Sequence, residues 1–264
     1  MQAGLIVALF AGGVAAGVVA ALLGVGGGIL MVPLMTLVFR VPIHNALGAS
    51  LVAAVATSDA AALWPGKRRL MEVGLAWRLA LATTFGATIG ATVALASKPE
   101  VLQLLFALAL LYAAYQLVAP RRGTEVVRDV EWASIGRLRK AAMWLIGLFA
   151  GASSGLLGIG GGIIIVPALY LVLHKPFKTA TATSNLLVGI TALTGAFTYW
   201  SRGALLPVPT LPISAGAFVG AVIGSILDRR ISSTVLRWGM AGLLVYSALQ
   251  MGSGLVQQWF GGWR

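Results

Sequence analysis

Two copies of one glycine-rich motif carry the groups most capable of chemistry in this chain. The first copy, LLGVGGGILMVP, runs from Leu22 to Pro33, and the second, LLGIGGGIIIVP, runs from Leu156 to Pro167. Glycine has no Cβ, so successive N–H groups of such a run can face a bound ion. A helix that begins there adds unpaired N–H groups and partial positive charge. The motifs therefore predict anion binding. The candidate residues are Gly26, Gly27, Gly28, Gly160, Gly161 and Gly162.

Hydroxyl side chains follow each motif at matching distances. Ser50 and Thr57 are seven residues apart, as are Ser184 and Thr191, so each pair lies on one face of a helix. Neutral donors suit an oxyanion such as sulfite or a sulfonate, whose charge is spread over several oxygens. The alternative is structural: the glycines allow close helix packing, and the hydroxyls bond to carbonyls of their own helices. The polar candidates for substrate binding are Ser50, Thr57, Thr183, Ser184, Asn185 and Thr191.

Asp59 is the one carboxylate well inside an apolar segment, which makes it a candidate proton carrier for coupling to an ion gradient. It precedes Trp64 by five residues, or roughly 7 Å of helical rise, so an interfacial or arginine-paired structural role is the alternative. Its counterpart in the second half of the chain is Leu193.

One segment matches a motif that carries the nucleophile in serine hydrolases. The residues from Gly151 to Gly155 match G-x-S-x-G, the nucleophile elbow of serine hydrolases, but the surrounding sequence predicts no strand, turn and helix to support one. We therefore predict no catalytic residues and no enzyme activity.

The composition indicates an integral membrane protein. Hydrophobic residues make up 59% of the 264 residues and charged residues 10%, which is unlike a soluble chain. Shorter apolar pieces from Ile29 to Phe39 and from Ile163 to Leu173 follow the two motifs and predict half-helices, because at about 1.5 Å per residue they cannot cross a bilayer. The apolar segments of spanning length are Gly4 to Leu23, Ala46 to Leu63, Leu75 to Ala96, Val101 to Ala119, Ala141 to Leu157, Ala180 to Trp200, Val208 to Leu227 and Val235 to Met251.

The charge and cysteine content exclude several function classes. The net charge of +12 lies mostly in short loops, so we interpret it as topogenic and predict no nucleic-acid partner. Cysteine is absent and there are two histidines, so we predict no metal site and no cofactor. The start of the chain lacks a basic region and a clear cleavage site, so no signal peptide is expected.

The chain contains an internal duplication. Shifting the sequence by 134 residues aligns Gly17 to Gln116 with the second half without a gap, and 29 of these 100 positions are identical. Residues 1–119 form the first predicted repeat, 120–140 a basic linker and 141–264 the second repeat. Within the repeats, the four-residue spacings of Gly86 and Gly90, and of Gly216, Gly220 and Gly224, predict close helix packing.

The distribution of positive charge favours inverted repeats. If the chain crosses the membrane at each motif, 12 of the 19 Lys and Arg residues share the side of the central linker; if it turns back there, 15 of 19 do. We therefore predict an all-α polytopic membrane protein. Each half has a glycine-broken helix or re-entrant hairpin plus three further spans, the linker is cytoplasmic, and both termini face outward. Broken helices that meet near the midplane are typical of secondary transporters.

The doubled G-x-G-G-G-[IL]-x-x-V-P motif, with a basic central loop between the halves, resembles the sulfite exporter TauE/SafE family of membrane transporters. The resemblance covers nearly the whole chain. It implies transport of a small sulfur-containing anion, such as sulfite, sulfoacetate or another organosulfonate, across the cell's inner membrane. A passive anion channel and a non-transporting membrane scaffold are the alternatives. The family motif falls on Gly24, Gly26, Gly27, Gly28, Pro33, Gly158, Gly160, Gly161, Gly162 and Pro167.

Overall fold

The computed structural model describes residues 2–23, 28–62, 69–118, 136–227 and 233–261, and all regular structure in these ranges is helical. The predicted linker, 120–140, lies largely outside them. The first half contains α1 (Gln2–Leu23), α2 (Gly28–Pro33) with a π-helical continuation (Leu34–Val38), α3 (Ile43–Ala62), α4 (Val73–Ala96) and α5 (Pro99–Val118). The second half contains α6 (Arg137–Leu157), α7 (Gly162–Leu171), α8 (Phe177–Ser201), α9 (Pro207–Leu227) and α10 (Ser233–Gly261).

Helices long and apolar enough to cross a membrane confirm the predicted class of protein. Among the described residues, six helices meet this test, in α1, α4, α5, α6, α8 and α9. Helices α3 and α10, which hold most of the predicted spans Ala46–Leu63 and Val235–Met251, are not among the six. In α3 the most hydrophilic residues are His44, Asn45 and Asp59. The apolar helices Gly28–Val38 and Gly162–Leu171 are shorter. At 10 residues, α7 is about 15 Å long, half of a bilayer core.

Glycines form the closest helix contacts, as their spacing predicted. A Cβ at Gly86 would lie on the carbonyl oxygen of Leu148, and one at Gly90 on that of Ala152, so α4 and α6 touch through their backbones. The same relationship joins α9 to α1, where Gly216 faces the carbonyl of Phe10. The packing seams are therefore confirmed, and any side chain at these positions would force the helices apart.

The main helix contacts join the two halves. Helix α1 packs chiefly against α9 of the second half, and its repeat counterpart α6 packs against α4 of the first. The counterparts α3 and α8 pack against each other, as do α5 and α10. The halves are thus interleaved, and each completes the packing of the other.

Helices α3 and α8 run antiparallel at the centre of this arrangement. A Cβ at Gly48 would contact Tyr199 near the end of α8, whereas Ser58, ten residues further along α3, donates a hydrogen bond to the carbonyl of Asn185 near its start (2.8 Å). The largest buried cluster includes Leu47 and Leu51 of α3, Val188 of α8 and Ile159 of the second glycine motif. The motif therefore lies against the pair of central helices.

Candidate functional site

The second glycine motif forms a sharp turn between two helices. Helix α6 ends at Leu157, and Gly158 caps it in the left-handed conformation (φ 67°), with its N–H donating to the carbonyl of Ser154 (2.8 Å). Gly160 (φ 84°) and Gly161 (φ 71°) are also left-handed. A side chain is disfavoured in this region, so three glycines are needed for the chain to enter α7 at Gly162.

The two motifs touch through their backbones. A Cβ added at Gly28 would lie on the carbonyl oxygen of Gly158 and 3.1 Å from the Cα of Ile159. Of the first-motif candidates, Gly28 is buried at the start of α2, whereas Gly26 and Gly27 lie outside the described residues. The structure therefore brings the described end of the first motif onto the turn of the second.

The hydroxyls of the first half are bonded to backbone. The Ser50 hydroxyl donates to the carbonyls of Leu47 (2.7 Å) and Gly158 (2.9 Å), and so links α3 to the second motif. The Thr57 hydroxyl donates to the carbonyl of Ala54 (3.1 Å). Both hydroxyls therefore bond to backbone carbonyls, as the structural alternative predicts for them.

The corresponding hydroxyls of the second half differ. Ser184 and Thr191 on α8 are 1% and 0% exposed, and neither hydroxyl has a hydrogen-bond partner among the described residues. They lie four residues before and three residues after Val188, on one helical face. Val188 meets the motif directly, because a Cβ at Gly160 would lie 2.8 Å from its Cγ1. The α8 face with the two unpartnered hydroxyls is therefore the face against the glycine turn.

Ser154 is a third buried hydroxyl at the turn, which sequence reasoning missed. It is fully buried, it has no partner within the described part of the chain, and its Cβ would lie 3.5 Å from a Cβ at Gly161. Its repeat counterpart is Ala20, so comparison of the halves does not reveal it. The signal available in the sequence was a serine located one helical turn before the second glycine run. A fourth such residue, Ser214, lies on α9.

Thr183 and Asn185 serve contacts between helices. The Thr183 hydroxyl oxygen accepts a hydrogen bond from the N–H of Glu72 (3.0 Å). The backbone carbonyl of Asn185 accepts one from the Ser58 hydroxyl. Glu72 in turn forms an ion pair with Lys175 (2.7 Å), which the sequence did not predict. These two site candidates therefore lie where α8 is tied to the first half.

Asp59 is exposed on α3, next to Ser58, and no cation within the described ranges pairs with it. The rejected nucleophile motif lies wholly within α6, where the Ser153 hydroxyl donates to the carbonyl of Phe149 (2.8 Å). This is continuous helix and not a strand-to-helix elbow. Among the described residues, no group of three or more His, Cys, Asp or Glu side chains could hold a metal ion.

Comparison with known proteins places the chain among membrane transporters. The sequence profile of the family described as sulfite exporter TauE/SafE matches residues 9–251. A probable membrane transporter protein of Xylella fastidiosa strain 9a5c is 31% identical over 238 residues, which cover 87% of each chain. The probable membrane transporter protein YunE of Bacillus subtilis is 25% identical over 261 residues, 90% of this chain and 94% of YunE.

A protein of Arabidopsis thaliana named sulfite exporter TauE/SafE family protein 1 is 28% identical over 112 residues, 42% of this chain and 24% of its own length. No solved structure matches the chain. The apolar helices and these relatives define a multi-pass membrane transporter. The chain belongs to the sulfite exporter TauE/SafE family, and the resemblance noted in its glycine motifs is confirmed.

Proposed function

We propose that the protein is a secondary transporter that moves a small sulfur-containing anion across the inner membrane by alternating access. One observation carries the proposal: Ser154, Ser184 and Thr191 are buried hydroxyls without partners among the described residues, and they lie on α6 and α8, the two helices that contact the glycine turn where α7 begins. A buried polar group that lacks a hydrogen bond costs free energy, so such groups point to a ligand that supplies the missing bonds. The description of the family names sulfite, and we include sulfoacetate and other organosulfonates as anions of the same chemistry.

The helix N-terminus at the turn favours the negative charge of that ligand. Helix α7 begins with the N–H groups of Gly162 and Ile163, before those of Ile164 and Ile165 donate to the carbonyl of Gly161, and the helix dipole places partial positive charge there. Buried hydroxyls of α6 and α8, together with these N–H groups, are donors that can stabilise an oxyanion without a charged side chain at the membrane centre.

The direction of the central helices supports inverted repeats. If the chain crossed the membrane at each motif, α3 and its counterpart α8 would run in the same direction. The contacts from Gly48 to Tyr199 and from Ser58 to Asn185 have the opposite order. A turn-back at each motif accounts for this order, in agreement with the charge count.

Two contacts between loops support the same topology. Glu72, before α4, pairs with Lys175, after α7, and the Asn45 side chain at the start of α3 donates to the carbonyl of Ala204, after α8 (2.9 Å). With turn-backs, the first contact lies on the cytoplasmic side with the central linker, and the second lies on the outer side. In alternating access these contacts would open in turn, the inner one when the site faces the cytoplasm.

The test is binding and flux with purified full-length protein. Isothermal titration calorimetry with sulfite, sulfoacetate and methanesulfonate should show saturable binding, and proteoliposomes should accumulate the bound anion when an ion gradient is imposed. Flux that neither saturates nor responds to a gradient would indicate a passive channel instead. Absence of both binding and flux would indicate a membrane scaffold.

A further inference from the structure

We infer that Gln116 and Gln250 are matched positioning residues that hold the two half-helices in turn. Gln116 holds α7 in the state seen here, and Gln250 holds α2 in the state in which the two halves have exchanged conformations. The inference rests on the proposed alternating access and goes beyond it, because it names residues that set the balance between the two states. Neither glutamine belongs to the proposed anion site.

Gln116 supplies a hydrogen bond that a proline removes. In an α-helix the carbonyl of residue 163 accepts the N–H of residue 167, but Pro167 has no N–H. The amide nitrogen of Gln116, on α5, donates to this carbonyl of Ile163 (3.4 Å). Ile163 is the second residue of α7. A side chain of the first half therefore holds the start of the half-helix of the second half.

The same parts are present for the other half-helix. A shift of 134 residues matches Gln116 with Gln250 on α10, and Pro167 with Pro33 in α2. Pro33 removes the usual donor from the carbonyl of Ile29, a residue that is 1% exposed. Helix α10 packs against α2 and its π-helical continuation. Gln250 therefore lies on the helix that can bring an amide to this second carbonyl.

The two glutamines are nevertheless bonded differently. Gln250 is exposed, and its amide nitrogen donates to the hydroxyl of Tyr246, one turn earlier on α10 (3.0 Å). Gln116 is half-buried and donates to α7, although Tyr112, the counterpart of Tyr246, lies one turn before it on α5. Each glutamine thus has two acceptors, a tyrosine on its own helix and a carbonyl of the opposite half-helix, and the two halves show one choice each. All of these residues lie within the described ranges.

The half-helices differ in the same way as the glutamines. Helix α7, which Gln116 holds, stays α-helical past its proline to Leu171. Helix α2 becomes π-helical at Leu34, directly after its proline, and the Thr36 hydroxyl donates to the carbonyl of Val32 (2.9 Å). Single π-helical turns occur frequently at functional sites. The half-helix whose matching glutamine is bonded elsewhere is therefore the irregular one.

Exchange of these two conformations gives each glutamine a place in the transport cycle. Inverted repeats alternate access by moving against each other around a fixed site. In the exchanged state, Gln250 donates to the carbonyl of Ile29 and Gln116 to the hydroxyl of Tyr112. Loss of Gln116 then destabilises the state seen here, and loss of Gln250 destabilises the exchanged state. The two losses should shift the equilibrium in opposite directions.

The test measures which side of the protein opens, with one cysteine at a time in a chain that has none. Ala46→Cys lies next to Asn45 at the outer contact, and its counterpart Ala180→Cys lies three residues before Thr183 at the inner contact. Both alanines are 0% exposed. The rate of labelling by N-ethylmaleimide in detergent, without any anion, reports how often each side opens. The readout is the ratio of the inner rate to the outer rate.

Gln116→Met and Gln250→Met should change this ratio in opposite directions, each by about fivefold, the effect of one net hydrogen bond on an equilibrium. The double variant should lie close to the wild type, because the two shifts cancel. Tyr246→Phe removes an acceptor used in the state seen here, so it should shift the ratio in the direction of Gln116→Met. Gln103→Met, also on α5, is the matched control and should leave the ratio unchanged.

A purely structural Gln116 predicts a different result. Gln116→Met would then lower Tm and leave the ratio unchanged, and this outcome, or shifts of the same sign from both glutamine variants, would overturn the inference. If Gln116→Met does not fold, the exposed positions still decide, because Gln250→Met and Tyr246→Phe must shift the ratio in opposite directions. Opposite shifts in a protein that neither binds nor moves an anion would remove the proposed substrate and support the exchange of glutamine bonds.

Discussion

The ammonium group of Lys175 lies 2.7 Å from the carboxylate of Glu72, and this ion pair joins the segment after α7 to the residue that caps α4. The two partners differ in burial: the Lys175 side chain is 6% exposed and the Glu72 side chain 31%. The N–H of Glu72 is bonded to Thr183, so the same point also anchors α8. One polar contact therefore connects three elements from both halves of the protein.

The difference in burial predicts unequal effects of removing each charge. Glu72→Gln leaves a buried ammonium without its carboxylate, which should cost about 3 kcal/mol of unfolding free energy. Lys175→Met leaves a carboxylate that water can reach, and should cost about 1 kcal/mol. Thermal unfolding of the detergent-purified variants shows which of the two is less stable. The double variant, which removes both charges, should be more stable than Glu72→Gln alone; equal destabilisation by the two single variants would contradict the prediction.

If the contact between Glu72 and Lys175 opens during transport, linking the two positions should stop the cycle. The chain has no cysteine, so Glu72→Cys with Lys175→Cys places the only two thiols in the protein. A short bifunctional maleimide should then abolish flux in proteoliposomes while anion binding persists, because the proposed site lies at the other end of α7. Each single-cysteine variant treated with the same reagent is the control. Unchanged flux in the fully cross-linked protein would show that this contact stays closed throughout.

The left-handed glycines of the second motif predict a sharp response to a single methyl group. Gly161→Ala should cost about 1–2 kcal/mol from backbone strain alone, and its Cβ would also lie 2.9 Å from the carbonyl oxygen of Ala150. We expect a lower Tm and weaker anion binding together. Gly239→Ala is the matched control, because that glycine is in α10 with no atom within 4 Å of an added Cβ. If Gly161→Ala has the same Tm and the same Kd for the anion as Gly239→Ala, then a side chain at position 161 does not strain the turn.

The proposed topology assigns equivalent loops of the two halves to opposite sides of the membrane. Arg40 and Arg202 should face outward and Lys178 the cytoplasm, and all three side chains are exposed. Cysteine at each position, reacted in whole cells with a membrane-impermeant maleimide, should be labelled at 40 and 202 and protected at 178. Labelling after permeabilisation confirms that the protected cysteine is reactive. If the chain instead crosses the membrane at each motif, the cysteine at 178 will be labelled and the cysteine at 202 protected.

The sequence predicted the features that depend on local pattern. Hydropathy identified six of its eight predicted spans as described helices that can cross a membrane, and four-residue glycine spacing identified the seams at Gly86 and Gly216, because both properties are set within one helix. The hydrogen-bond state of Ser50 depends on Gly158, 108 residues away, and no pattern within either segment reports that contact. Repetition suggested that the paired hydroxyls are equivalent, yet Ser50 donates to Gly158 of the other half, whereas Ser184 has no partner among the described residues.

The ion pair between Glu72 and Lys175 was hidden for the same reason. Neither residue has a charged counterpart at the repeat offset, where Leu206 and Val41 stand, so comparison of the halves gave no signal. Charge in the loops was interpreted as topogenic, which is correct on average for short loops. Whether one loop cation pairs with a particular carboxylate depends on how α7 returns to the membrane surface, and this is a property of the tertiary fold.

Asp59 gives the last prediction, which concerns coupling. It lies on α3 one residue after Ser58, whose hydroxyl holds the carbonyl of Asn185 on α8, so a change of charge at Asp59 acts beside a contact between the halves. If Asp59 carries the coupling proton, Asp59→Asn should retain anion binding and downhill exchange but lose accumulation driven by a pH gradient, since an amide cannot exchange that proton. Asp59→Glu is the control and should retain part of the accumulation. Full gradient-driven accumulation by Asp59→Asn would assign coupling to another group and leave Asp59 as an interfacial residue.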